Sequence, residues 1–172
     1  MLIELVAAVA LGFAAAGVAL LARRAIPALP RFTVPAAAGL AMIGFGIWSE
    51  YTWYERTSAT LPDGIEVTSA PAESAFWRPW SYVAPLVVRF MAVDLASARR
   101  NEALPGQVMV EVYVIARHGP RARVPVLLDC QGHRRADIAD GLDFGSDGSV
   151  AESDWRRVAP DDPLLATVCR TS

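Results

Sequence analysis

Residues 2–22 carry a single charge, Glu4, and are otherwise apolar or small. At about 1.5 Å of helix rise per residue, such a run spans the roughly 30 Å hydrocarbon core of a bilayer. A second run, residues 34–54, reads VPAAAGLAMIGFGIWSEYTWY. Its end is crowded with Trp48, Tyr51, Trp53 and Tyr54, amphipathic rings that prefer the headgroup level of a membrane. The connector RRAIPALPRFT contains Pro27 and Pro30, which end a first helix, and Pro35 suits the first turn of a second. These features predict a two-helix transmembrane hairpin, with helices over about 2–22 and 34–54 and a loop over 23–33.

Orientation follows from charge. Arg23, Arg24 and Arg31 are the positive charges beside the helices, so positive-inside statistics place the loop in the cytoplasm. The N-terminus and everything after residue 54 then face outward, which in a Gram-negative cell is the periplasm. A cleaved signal peptide would need a basic start, and the chain opens MLIEL. Glu4 and Glu50 fall near helix ends rather than mid-span, where a proton relay would need them. Gly12 and Ala16 on one helix, and Gly39, Gly44 and Gly46 on the other, permit close backbone approach in lipid.

The remaining chain is of ordinary polarity. All 16 basic residues are arginine, which removes P-loop, Schiff-base and general-base lysine chemistry and suits a GC-rich bacterial genome. Beyond residue 54 there are 13 arginines against 16 acids, so a basic nucleic-acid footprint is not expected. Residues 55–63 read as a polar linker and 64–172 as one small, mostly antiparallel β (α+β) domain. A short strand is expected over 65–69, a loop over 70–75 and a strand over 87–95. Polar residues over 96–106 then end in a Pro105-Gly106 turn. The clearest strand is 108–115, where Val108, Val110, Val112 and Val114 alternate with Met109, Glu111, Tyr113 and Ile115. With 124–130 it forms a hairpin. Residues 134–142 are a strand or an irregular return, 145–149 a turn, and 160–168 a short C-terminal helix.

Cys130 and Cys169 are the two cysteines. In an outward-facing domain the simplest outcome is a disulfide closing a loop of about 40 residues. A metal site would need further ligands at suitable spacing, and a redox pair favours Cys-x-x-Cys. No cofactor and no metal is expected. Trp77, Arg78 and Trp80 are candidates for a cation–π cluster, for packing, or for lying along the membrane surface.

Three short resemblances stand out. Arg117-His118-Gly119-Pro120-Arg121 resembles the RHGxR signature of the histidine phosphatase superfamily, which implies arginines on phosphate and a phosphorylated histidine. That family also requires a distant second histidine and a parallel α/β domain; the other histidine here is His133, and the following VPVLLDC reads as a strand. Residues 143–154, DFGSDGSVAESD, resemble an EF-hand calcium loop, with Asp143, Asp147 and Asp154 at ligand positions but Gly145 where a side-chain oxygen is needed. Finally, Asp129-Cys130, Trp155-x-x-Val158-x-Pro160 and Val168-Cys169 are similar to the C-terminal cadence of exported bacterial domains of the surface-adhesin E type. That resemblance implies a compact β-rich, disulfide-bonded domain. The chain as a whole is similar to inner-membrane proteins of GC-rich proteobacteria.

The expected function is non-enzymatic: a membrane-anchored periplasmic domain that binds or supports another envelope component. The alternatives are an accessory subunit of a larger inner-membrane complex and, by way of Arg117-His118-Gly119, a phosphate-handling enzyme. The expected partners are the lipid bilayer and a membrane or periplasmic protein.

Overall fold

The computed structural model describes residues 2–101, 104–138, 145 and 149–170. The chain forms two compact units, Met1–Trp53 and Tyr54–Ser172.

The first unit is helical. Helix α1 spans Leu2–Ala25 and helix α2 begins at Thr33 and runs to Ser58, so the unit boundary falls within α2. Both helices outlast their apolar stretches. Arg23 and Arg24 continue α1, and residues 55–58, expected in a linker, continue α2. Helical hydrogen bonding does not need apolar side chains, and Arg is a good helix former. The two helices run antiparallel. Near one end the Ser49 hydroxyl donates to Glu4 Oε1 at 2.9 Å. Two turns along, Gly12 lies against Met42, whose side chain would sit 3.0 Å from any Cβ placed there. By length and composition α1 alone, among the described residues, is apolar enough to cross a membrane. The later half of α2 dilutes its apolar character with Ser49, Glu50, Tyr51 and Thr52.

The second unit is built on an antiparallel sheet. Its strands are β1 (Ile65–Ser69), β4 (Arg89–Asn101), β5 (Leu104–Ala116), β6 (Ala122–Asp129), β7 (Arg134–Asp137) and β8 (Arg156–Arg157), in the order β1-β4-β5-β6-β7-β8. Two short strands, β2 (Ala72–Glu73) and β3 (Leu86–Val87), pair as a separate ribbon. Helix α3 spans Pro163–Arg170. The period-two alternation of β5 sorts its residues cleanly. Val108, Val110 and Val112 share a face with Val93, Val126 and Leu128, and α3 covers that face with Leu164, Leu165 and Val168. On the other face Phe90, Ala92 and Ile115 are buried, and the Tyr54 ring meets Phe90 edge-on at 5.4 Å.

Two expectations need correcting. The Pro105-Gly106 pair, expected as a turn, lies inside β5, and β4 runs on through the polar stretch to Asn101. Asp94 pairs with Glu111 but Arg99 pairs with Met109, so β4 carries three more residues than β5 over that interval. An odd insertion inverts the side-chain alternation, which is why the period disappears from the sequence there. The Asp94 carboxylate holds the bulge by accepting from the backbone N–H of Ala96 at 3.0 Å and of Ser97 at 3.3 Å. Likewise α3 starts at Pro163, not Pro160. Asp162 Oδ1 accepts from Leu164 and Leu165 N–H, both at 3.0 Å. An N-cap aspartate followed by proline is a stronger start signal than Pro160. The expected loop over 70–75 also contains β2, and Arg134–Asp137 is a strand.

Candidate functional site

Side chains with chemical potential gather at four places in the second unit: the two ends of the sheet, one polar hollow on its face, and one exposed loop.

The end at which β6 passes to β7 holds the densest polar cluster. Cys130 and Cys169 form a disulfide, with Cα atoms 5.8 Å apart. Beside it Asp129, 7% exposed, accepts from Arg134 Nη2 at 2.7 Å and Nε at 3.1 Å. The N–H groups of Gln131 and Gly132 donate to its other oxygen at 3.1 and 2.9 Å. Arg134 also donates to Glu152 at 2.8 Å and lies 5.0 Å from the Trp155 ring centre. Burial pushes the Asp129 carboxyl up. The Gly132 N–H and the Arg134 guanidinium outweigh burial, so its pKa lies below the ordinary value of 3.8. Val158 N–H donates to His133 O at 3.0 Å. Asp129, Cys130, Trp155, Val158 and Cys169 are therefore tied into one knot. Asp129 holds the β6–β7 turn, and the disulfide ties that turn to the C-terminal helix.

The pH dependence of this knot can be measured. A carboxylate with a lowered folded pKa stabilises the fold fully above its unfolded pKa, and that contribution is lost as pH falls through the folded value. Asp129→Asn should therefore cost about 1–3 kcal/mol at pH 7, the range for losing charge-assisted hydrogen bonds. Denaturant titrations of the two proteins should converge below the unfolded value of 3.8. An undiminished gap under acid conditions would show that ionisation of Asp129 is not what holds the turn.

The opposite end of the sheet carries the β5–β6 tip, residues 117–121, and thus the RHGPR motif. Arg117 N–H donates to Val88 O at 2.9 Å, and His118 and Arg121 are exposed. His133 lies in the β6–β7 turn with φ 48°, at the far end of β6. The two histidines that a phosphatase reading would bring together are separated by the length of that strand. Among the described residues no three His, Cys, Asp or Glu side chains come together as a metal site. Five of the twelve residues of the calcium-loop resemblance over 143–154, Asp143 and Asp147 among them, lie outside the described residues.

A polar hollow of about 300 Å³ opens at the bulge, lined by Asp94, Ser97, Arg99, Glu111 and Arg123 among others. Its Asp94, Ser97, Glu111 and Arg123 are engaged with one another or with the bulge backbone. Arg123 donates to Glu111 through Nε at 2.6 Å and lies over the Tyr113 ring. The Ser97 hydroxyl donates to Asp94 O at 2.6 Å and accepts from Glu111 N–H at 3.0 Å. The hydroxyl is thereby committed to the bulge and is not poised as a nucleophile.

The fourth place is the loop between β2 and β3. A 3-10 turn over Pro79–Tyr82 is latched by Ser81, 1% exposed, whose hydroxyl accepts from Ala75 N–H at 2.9 Å and donates to Arg78 O at 2.6 Å. The latch turns Phe76, Trp77, Tyr82 and Val83 outward, with 79, 64, 65 and 90% of their surface exposed. Phe76 and Trp77 stack edge to face at 4.9 Å. The expected Trp77, Arg78 and Trp80 group is thus divided: Trp77 points to solvent, while Arg78 and Trp80 are half-buried. Phe76, Tyr82 and Val83 carry no alternation signal in the sequence that marks them as site residues. Of the expected interfacial aromatics, Trp48 is 54% exposed and rests on Phe45, while Tyr51, Trp53 and Tyr54 are half-buried.

No family model, curated protein or solved structure matches this chain.

Proposed function

We propose that the chain is a two-pass inner-membrane protein that displays a disulfide-bonded α+β domain in the periplasm. There it binds or supports another envelope component without catalysis. The observation that carries this reading is the pairing of α1 with α2. A helix hydrogen-bonded at Glu4–Ser49 and packed at Gly12–Met42 follows α1 along its length. If α1 crosses the bilayer, an antiparallel partner of that kind crosses back beside it. The polar residues of α2 from Ser49 onward then fall level with the start of α1, at the membrane surface. The apolar side chains left exposed, including Phe13, Val18, Leu21, Leu40 and Ile43, are the ones lipid would cover. The disulfide supports an oxidising compartment for the second unit, and the commitment of the polar clusters to structure supports a binding role over catalysis.

The test is a pair of reporter fusions. A reporter active only in the periplasm should be active when fused after Ser172 and inactive when fused within 26–32. Activity at both places, or inactivity after Ser172, overturns the two-pass topology. In-cell crosslinking of the full chain then identifies the envelope component, and equal phosphatase rates for wild type and His118→Ala would exclude the RHGPR route.

A further inference from the structure

Four exposed apolar side chains on one short loop, Phe76, Trp77, Tyr82 and Val83, are an unusual surface for a water-soluble unit. Their position within the second unit limits what can cover them. The loop closes the β2–β3 ribbon, and β3 ends just before Arg89, where β4 begins. Phe90, the next residue, is the seat of Tyr54, the first residue of the unit. Tyr54 thus meets the sheet at the end of β4 that adjoins the aromatic loop, while β1 itself starts farther along, with Ile65 opposite Asp94. The β5–β6 tip also lies at this end, because Ala116 pairs with Arg89. It brings Arg117 and Arg121, while Arg89 contributes a guanidinium 3.0 Å from Glu73. The disulfide knot lies at the other end.

We propose that this end of the sheet is a membrane-contact face, with Phe76, Trp77, Tyr82 and Val83 inserted at the headgroup level of the outer leaflet. Arg121, exposed on the β5–β6 tip, is set against anionic lipid phosphate. The proposal rests on the membrane-anchored reading above. Its chemistry is that of interfacial anchors: large amphipathic rings favour the headgroup zone, and arginines beside them favour anionic lipid. Continuity with the membrane-emerging chain at Tyr54 selects the bilayer over other occupants. Ser81 is the positioning residue, since its hydroxyl holds the loop in the shape that turns the four side chains outward.

The test uses the full chain in vesicles of phosphatidylethanolamine and phosphatidylglycerol. An environment-sensitive fluorophore is attached through Val83→Cys, and in a control protein through Ala98→Cys in the bulge of β4. The disulfide is left oxidised. Nitroxide lipids labelled near the headgroup should quench the probe at 83, and its emission should be blue-shifted. The probe at 98 should show neither effect. Trp77→Ser with Tyr82→Ser should reduce quenching at 83, and phosphatidylcholine alone should weaken it. Alkaline extraction is run on every sample. A chain that resists extraction but shows no lipid quenching at 83 overturns the membrane-contact face and leaves the anchor standing. A blue-shifted probe without lipid quenching, accompanied by crosslinking between copies, assigns the face to self-association and also overturns it. A chain released by alkali overturns the anchor and the contact face together.

Discussion

Replacing Cys169 with serine should lower the stability of the sheet unit by about 4 kcal/mol, the chain-entropy value for a loop of this length. The bonded cysteines are 39 residues apart. Both lie partly buried against the core that α3 completes. The bond therefore does two things. It limits the unfolded chain, and it tethers the helix whose Leu164, Leu165 and Val168 seal the valine face. In mild detergent the thermal midpoint should fall by roughly 15 °C. Reductant should bring wild type to the same midpoint and leave the variant unmoved. A difference under about 1 kcal/mol would mean that the unfolded chain is already compact around this loop, so that the bond removes little freedom.

The second large effect is expected at Phe90. It is 0% exposed, sits opposite Ile115, and has the edge of Tyr54 against it at 78°. Phe90→Ala removes a buried ring from a site walled by the sheet backbone, which cannot collapse to fill the space. The cost should be about 3–5 kcal/mol. Because the ring is also the seat of Tyr54, a double-mutant cycle with Tyr54→Ala should return a coupling of about 0.5–1.5 kcal/mol, the value of an edge-to-face pair. Strict additivity would show that the Tyr54 ring and the sheet are energetically independent, and that the entry of the chain into the unit is not fixed at this point.

These two positions differ in how legible they were. The cysteine pair could be read directly, because two cysteines in an outward-facing domain have one partner each. Phe90 could be placed on a strand face by alternation, but its neighbour Tyr54 could not, since 34–54 reads as one helix and gives no sign of what its last residue touches. The hairpin of β5 and β6 was clear from valine alternation. The bulge at Asp94–Arg99 was hidden for a physical reason: three extra residues invert the pattern, and a broken period looks like a loop. The start of α3 was misplaced because Pro160 and Pro163 compete for one signal, and Asp162 decides it by capping. The helices outrun their apolar stretches because apolar composition reports lipid compatibility and helical hydrogen bonding continues past it. At the candidate site, Trp77 could be singled out by residue type. Its outward direction depends on the Ser81 latch, and a lone serine between two aromatics carries no sign of that.

The placement of α3 has a further consequence. It lies C-terminal to every strand, yet it packs beside β1, and Arg170 reaches Glu66 at 3.4 Å across 104 residues of sequence. The valine face therefore has no cover until the two ends of the domain meet. Closure of such distant segments is slow, and no early subset of strands forms a self-sufficient intermediate. During synthesis the valine face would stay open until α3 arrived. The lock is then set by segments drawn from far apart in the sequence: a helix, a cysteine and one ion pair.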